Sequence, residues 1–149
     1  MSGRGELAVL LATAYRVTVD DLHRHLADVG HPGLRPAHGF AFWYLSHHDD
    51  ATSVDLAAHL GVTKQAAAQL VDELDRLGYV TRGVHPRDRR ARTVRLTAKG
   101  RHCVEQVVAY WADRERRWAK LVGPSDLRTV RNALRAYVAD APTGLKPRW

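Results

Sequence analysis

Cysteine occurs once in the 149 residues, at Cys103, so an internal disulfide framework is excluded. That thiol lies at helical spacing with Val104, Val107 and Val108 and suits a reducing compartment, which makes the cytoplasm the expected location. No apolar run approaches the length of a membrane span, and the opening MSGRGELAVLLATAYR is broken by charge and lacks a signal-peptide cleavage pattern. No membrane partner is expected. Repeats, linkers and low-complexity tracts are missing too, so residues 1–149 read as one domain, large enough to bury a core unaided. No Ser-His-Asp order, phosphate loop or paired-carboxylate pattern emerges, so neither an enzyme nor a bound cofactor is expected. Nine histidines are present, but no two lie three or four residues apart, the helical spacing of paired metal ligands.

Acidic residues are nearly missing from one stretch. From Arg82 to Arg101 there are eight Lys or Arg and a single acid, Asp88, a net of +7 that equals the charge of the whole chain. Away from this stretch the 23 basic and 16 acidic residues reduce to fifteen of each. Charge held in one block points to a defined anionic partner, because solvated charge runs usually mix signs.

Most of the chain carries helical signals. Leu7, Leu11, Ala14, Thr18, Leu22, Leu26 and Val29 recur at three or four residues, which predicts a helix over 6–29 ended by Gly30, Pro32 and Gly33. Pro36 opens a second helix through PAHGFAFWYLSHH, the aromatic centre of the chain. Thr52 to Asp55 resembles a capping box for a short helix ending at Gly61. Thr63 caps the next, with Ala67, Leu70, Val71, Leu74 and Leu77 on one face and Gly78 as its stop. Two helices joined by Leu60-Gly61-Val62 make a helix-turn-helix. Tyr79–Val84 and Arg92–Leu96 are β-prone, with the arginine-rich His85–Ala91 between them as the loop of a hairpin, or wing. Thr97 caps a long helix with Val104, Val107, Val108, Trp111, Trp118 and Val122 at helical spacing, broken at Gly123-Pro124. Ser125 is the expected cap of a last helix with Leu127, Val130, Leu134, Tyr137 and Val138 on one face, and the tail PTGLKPRW reads as irregular.

The run LAAHLGVTKQAAAQLVDELDRLGYVTRGVHPRDRRARTVRLTAKG resembles the winged helix-turn-helix core of the MarR family of bacterial transcription regulators, and the flanking helices fit that family along nearly the whole chain. Its most specific part is Asp88-Arg89-Arg90 followed by Val94-Arg95-Leu96-Thr97-Ala98-Lys99-Gly100. The resemblance implies a mainly α fold of about six helices and a small β-hairpin wing. Residues 35–96 would form the DNA-binding region, and helices within 6–29 and 97–139 would dimerise. It also implies a homodimer that represses at palindromic promoter sites and is relieved by a small ligand.

Burying Ala67, Leu70, Val71 and Leu74 leaves Lys64, Gln65, Ala68, Gln69 and Asp72 facing outward, a surface suited to a major groove. Gln65 and Gln69 have the amides that read adenine, Ala68 is small enough to meet a thymine methyl group, and Lys64 suits a phosphate. A hairpin loop carrying Arg87, Arg89 and Arg90 can straddle the DNA backbone and insert one guanidinium into a narrow minor groove. By resemblance Arg90 is that residue and Asp88 its buttress, although a turn-forming role for Asp88 is equally open. His85 stands where the family often has an acid, and Gly39 where it often has an aromatic residue. The resemblance places an effector pocket between the first, second and fifth helices and nominates Tyr15, His38, Phe42, Trp43 and Trp111 for a small aromatic ligand. Plain core packing is the alternative for each of them. A metal- or redox-responsive regulator of the same fold, the latter using Cys103, and a winged helix used for protein contacts remain as other readings.

Overall fold

The starts of three helices fall where the sequence supplies a threonine oxygen. In a computed structural model that describes residues 3–140, Thr63 Oγ1 accepts the backbone N–H of Ala66 at 3.0 Å and Thr97 Oγ1 that of Gly100 at 3.2 Å. Thr52 and Asp55 form the reciprocal pair of a capping box. The elements run α1 (Glu6–Asp28), α2 (Pro36–Ser46), α3 (Ser53–Leu60), α4 (Lys64–Arg76), β1 (Val80–Val84), β2 (Arg92–Leu96), α5 (Ala98–Val122) and α6 (Pro124–Ala139). The fold is therefore mainly α with one antiparallel hairpin, as the sequence predicts. The tail PTGLKPRW lies outside the described residues.

Ser125 does not cap α6. Gly123 occupies the N-cap and Pro124 the first helical position, where its fixed φ and missing N–H cost nothing; Ser125 instead offers its carbonyl to the Thr129 hydroxyl. At the end of α2, His47 and His48 lie past the last helical residue, and each donates a ring N–H from Nδ1 to the carbonyl four residues back, at 2.8 Å.

The two strands pair from Val80 opposite Leu96 to Val84 opposite Arg92. A bridge between Thr52 and Thr93 ties the hairpin to the start of α3. The core joins Leu22 and Leu26 of α1, Phe42 and Leu45 of α2, Leu56 and Leu60 of α3, Leu70, Val71 and Leu74 of α4, Val80, Val94 and Leu96 of the hairpin, and Cys103 of α5. α5 starts hard against the hairpin: a Cβ at Gly100 would lie 2.3 Å from the Tyr79 carbonyl oxygen. Outside this core the helices at the two ends of the chain keep apolar faces in solvent. Leu7 is 69% exposed, Leu121 82% and Tyr137 72%, and α6 buries Leu127. No helix among the described residues is long and apolar enough to cross a membrane.

Candidate nucleic-acid interface

The α3–turn–α4 unit depends on Gly61, whose left-handed backbone (φ 67°) turns the chain sharply enough for α4 to pack across α3. Ala67, Leu70, Val71 and Leu74 are buried, as their spacing requires, which leaves Lys64, Gln65 and Gln69 exposed and Ala68 half-buried on the outer face. Thr63 takes the Ala66 amide, so the N–H groups of Lys64 and Gln65 at the head of α4 have no acceptor within the helix. A helix end with open donors and a lysine favours an anion.

The hairpin follows α4 directly, and its arginines divide into two sets. Side chains alternate across a strand, so Arg82 and Arg95 brace opposite faces. Arg82 of β1 reaches back to Asp72 and Asp75 on α4. Arg95 of β2 donates to the Asp49 carbonyl and to Asp50, both at 2.8 Å. Lys99 donates to the Leu77 carbonyl and lies over the Tyr79 ring, and Arg101 donates to the Leu96 carbonyl. These four cations are engaged within the fold. The guanidinium groups of Arg87, Arg89, Arg90 and Arg92 are exposed and have no hydrogen-bond or ion-pair partner among the described residues. Three lie in the loop at the tip of the wing, and Arg92 opens β2 beside it.

The tip itself is tied down. His85 N–H donates to the Ala91 carbonyl and Ala91 N–H to the Asp88 carbonyl. Two side chains complete the turn: Asp88 Oδ1 accepts the backbone N–H of Arg90 at 3.0 Å, and His85 Nδ1 accepts that of Arg87 at 3.1 Å. Asp88 thus forms the turn, and no ion pair joins it to the Arg90 guanidinium. His85 does by a ring nitrogen what an acid could do there by a carboxylate oxygen. Arg92, which the sequence reading left out of the candidate contacts, belongs with the free set.

Between α1, α2 and α5 lies a cleft of about 420 Å³, with Tyr15, Phe42, Trp43 and Trp111 in its walls together with Gly39 and Arg35. His38 is not in it. That ring is fully buried on the other side of α2, where Nδ1 accepts the Arg35 backbone N–H and Nε2 faces Glu73 of α4; burial lowers its pKa against the pull of Glu73. A second, partly buried cluster joins the α1–α2 loop to the residue before β1 and to α5: His31 contacts the Tyr79 hydroxyl at 3.0 Å and His102 at 2.8 Å. Neither cluster is visible as a motif, since the partners lie 35 to 71 residues apart. Cys103 is fully buried, and burial pushes its thiol up to about 11, which leaves no thiolate poised for oxidation. Among the described residues no three His, Cys, Asp or Glu side chains converge on a point that could hold a metal ion.

Residues 33–91 match the model of the MarR family. The fold is similar to that of RV1404 from Mycobacterium tuberculosis, at 25% identity and a TM-score of 0.76, covering 95% of this chain and 97% of that one. It is also similar to wild-type apo MarR from E. coli, at 22% identity, a TM-score of 0.68 and coverage of 88% and 96%. The S. aureus MepR–DNA complex gives 19% identity, a TM-score of 0.71 and coverage of 90% and 97%. No curated protein matches. Residues 33–91 are thus similar to the MarR family, and the chain around them shares the fold of these solved structures.

Proposed function

We propose that the protein is a sequence-specific DNA-binding transcription regulator, acting in the cytoplasm as a homodimeric repressor at palindromic sites, rather than an enzyme. One observation carries the reading: four unpartnered arginines on a pinned hairpin stand beside a helix whose outer face offers Lys64, Gln65 and Gln69. The helix suits a major groove, and the wing suits the flanking backbone and minor groove. MepR, which shares the fold, is held on DNA in its complex. The uncovered apolar faces of α1, α5 and α6 favour a second copy, since stripes of that extent on a small domain mark an interface.

The cleft supplies the regulatory half of the reading. Its volume falls in the range of small-molecule sites, and its walls are mainly apolar and aromatic, which suits a small aromatic effector. Selection of duplexes from a random pool by the purified protein tests the core of the proposal. The expected product is a two-fold palindrome with half-sites about one helical turn apart. Failure to enrich any sequence, or a monomeric mass at micromolar concentration, overturns it.

A further inference from the structure

His38 is fully buried, and its ring nitrogens serve two different helices. Nδ1 accepts the Arg35 backbone N–H at 3.0 Å, so the ring proton sits on Nε2, which donates to Oε2 of Glu73 at 3.3 Å. The Arg35 guanidinium donates to that same oxygen. Hydrogen bonds from His38 and Arg35 lower the Glu73 pKa, so an ionised carboxylate on α4 faces a neutral imidazole and a cation from the first turn of α2. Glu73 lies one turn beyond Gln69, on the same helix that presents the outward glutamines. The recognition helix is thereby fastened through its C-terminal half to the start of α2.

That same turn of α2 is a wall of the cleft, because Arg35, Pro36 and Gly39 all line it. Gly39 has open space beside it: a Cβ added there meets no atom within 4 Å. The geometry points to Glu73 as a positioning residue through which the cleft acts on DNA binding. An occupant beside Gly39 displaces the first turn of α2, and Arg35 and His38 transmit the displacement to Glu73 and so to α4. The inference rests on the cleft being the effector site. An occupant then shifts α4 only insofar as it prefers one arrangement of that turn over another, and the coupling is reciprocal.

Gly39→Phe places an occupant in the cleft without any ligand, and it replaces a helix-interior glycine whose substitution is not strained. We expect it to weaken binding to the selected operator by about tenfold, within the usual range of coupling between sites. In a Glu73→Gln or Arg35→Gln background the added loss from Gly39→Phe should shrink to about twofold or less, because the link is already cut. Arg35→Gln acts from the exposed end of the network and keeps the test open should Glu73→Gln fail to fold. The Nε2–H proton resonance of His38 should shift in Gly39→Phe, a change that loss of general stability would not produce. Additive losses in both backgrounds, or an unmoved His38 resonance, overturn the relay and leave the cleft reading standing. Operator binding by Gly39→Phe equal to that of the parent removes the cleft reading and the relay with it.

Discussion

Arg90 and Arg95 belong to the same basic block, yet removing them should have different consequences. The Arg90 guanidinium is unpartnered at the wing tip, whereas Arg95 is held by the Asp49 carbonyl and the Asp50 carboxylate. A cation that neutralises phosphate releases condensed counterions, and each such contact contributes about 0.9 to the slope of log affinity against log salt. Arg90→Ala removes one contact from each arm of a dimer, so the slope should fall by about 1.8. Over a fourfold rise in salt, from about 50 to about 200 mM, that difference amounts to about tenfold in affinity, with the variant the less sensitive. Arg95→Ala removes a charge already matched within the chain. Its slope should equal the parent's, and its stability should drop by no more than about 1 kcal/mol, as for an exposed ion pair. Fluorescence anisotropy of labelled operator and scrambled duplexes across that salt range, with thermal melts of the free proteins, reads both effects. An Arg90→Ala slope equal to the parent's, or a slope loss confined to Arg95→Ala, would refute the assignment of the free arginines to DNA.

Gln69→Ala should keep the parental salt slope and relax preference at one base pair per half-site, costing about 1–3 kcal/mol on the selected operator and little on scrambled DNA; equal losses on both duplexes would remove its readout role. Gly100→Ala drives a methyl into the Tyr79 carbonyl, 2.3 Å from the ideal Cβ position. It should lower stability by about 1–3 kcal/mol in a urea titration, and an unchanged midpoint would mean that α5 and the hairpin are not in that contact. Burial lowers the pKa of His31, with His102 and Lys99 adding to the shift, and burial lowers that of His38 too. Between their lowered folded pKa and the unfolded value of about 6.5 both stay neutral in the fold while the unfolded chain takes up protons, so their contribution is intact above about pH 6.5. It is lost below it by up to about 1.4 kcal/mol per pH unit for each group. Urea midpoints at about pH 7.5 and about pH 5.5 should differ in that direction, and equal midpoints would refute neutral burial.

What was legible in the sequence was local. Thr52, Thr63 and Thr97 announce helix starts because the oxygen that caps and the N–H that it accepts are three residues apart, and Gly61 and Gly78 mark the ends because φ is positive there. Ser125 misled because Gly123-Pro124 offers a start that needs no side chain. The +7 block was legible as a quantity, but not its division. Arg82 finds Asp72 and Asp75 across the α4–β1 junction, and Arg95 finds Asp50 from 45 residues away. His38 shares one helix with Phe42 and Trp43 and was grouped with them for the cleft; its ring points instead to Glu73. A helix presents several faces, and a spacing of four or five residues does not tell which neighbour each side chain meets until the other helices are placed.

On the proposed reading of α4 as the recognition helix, its own acids account for Arg82 and Arg35 being engaged inside the fold. α4 carries Asp72, Glu73 and Asp75 in its second half against Lys64 and Arg76, so alone it is net negative and would be repelled by phosphate. Each of those three carboxylates is met by an arginine from elsewhere: Asp72 and Asp75 by Arg82 of the wing, Glu73 by Arg35 ahead of α2. The pairings compensate the acids. They also join α4 to the two parts of the fold that act with it, the wing on one side and the cleft wall on the other. Exposed ion pairs of this kind add little to stability, so their consequence lies in orientation. A helix reading base edges tolerates little error in placement, and these carboxylates give the neighbouring elements a hold on it that an uncharged surface would lack.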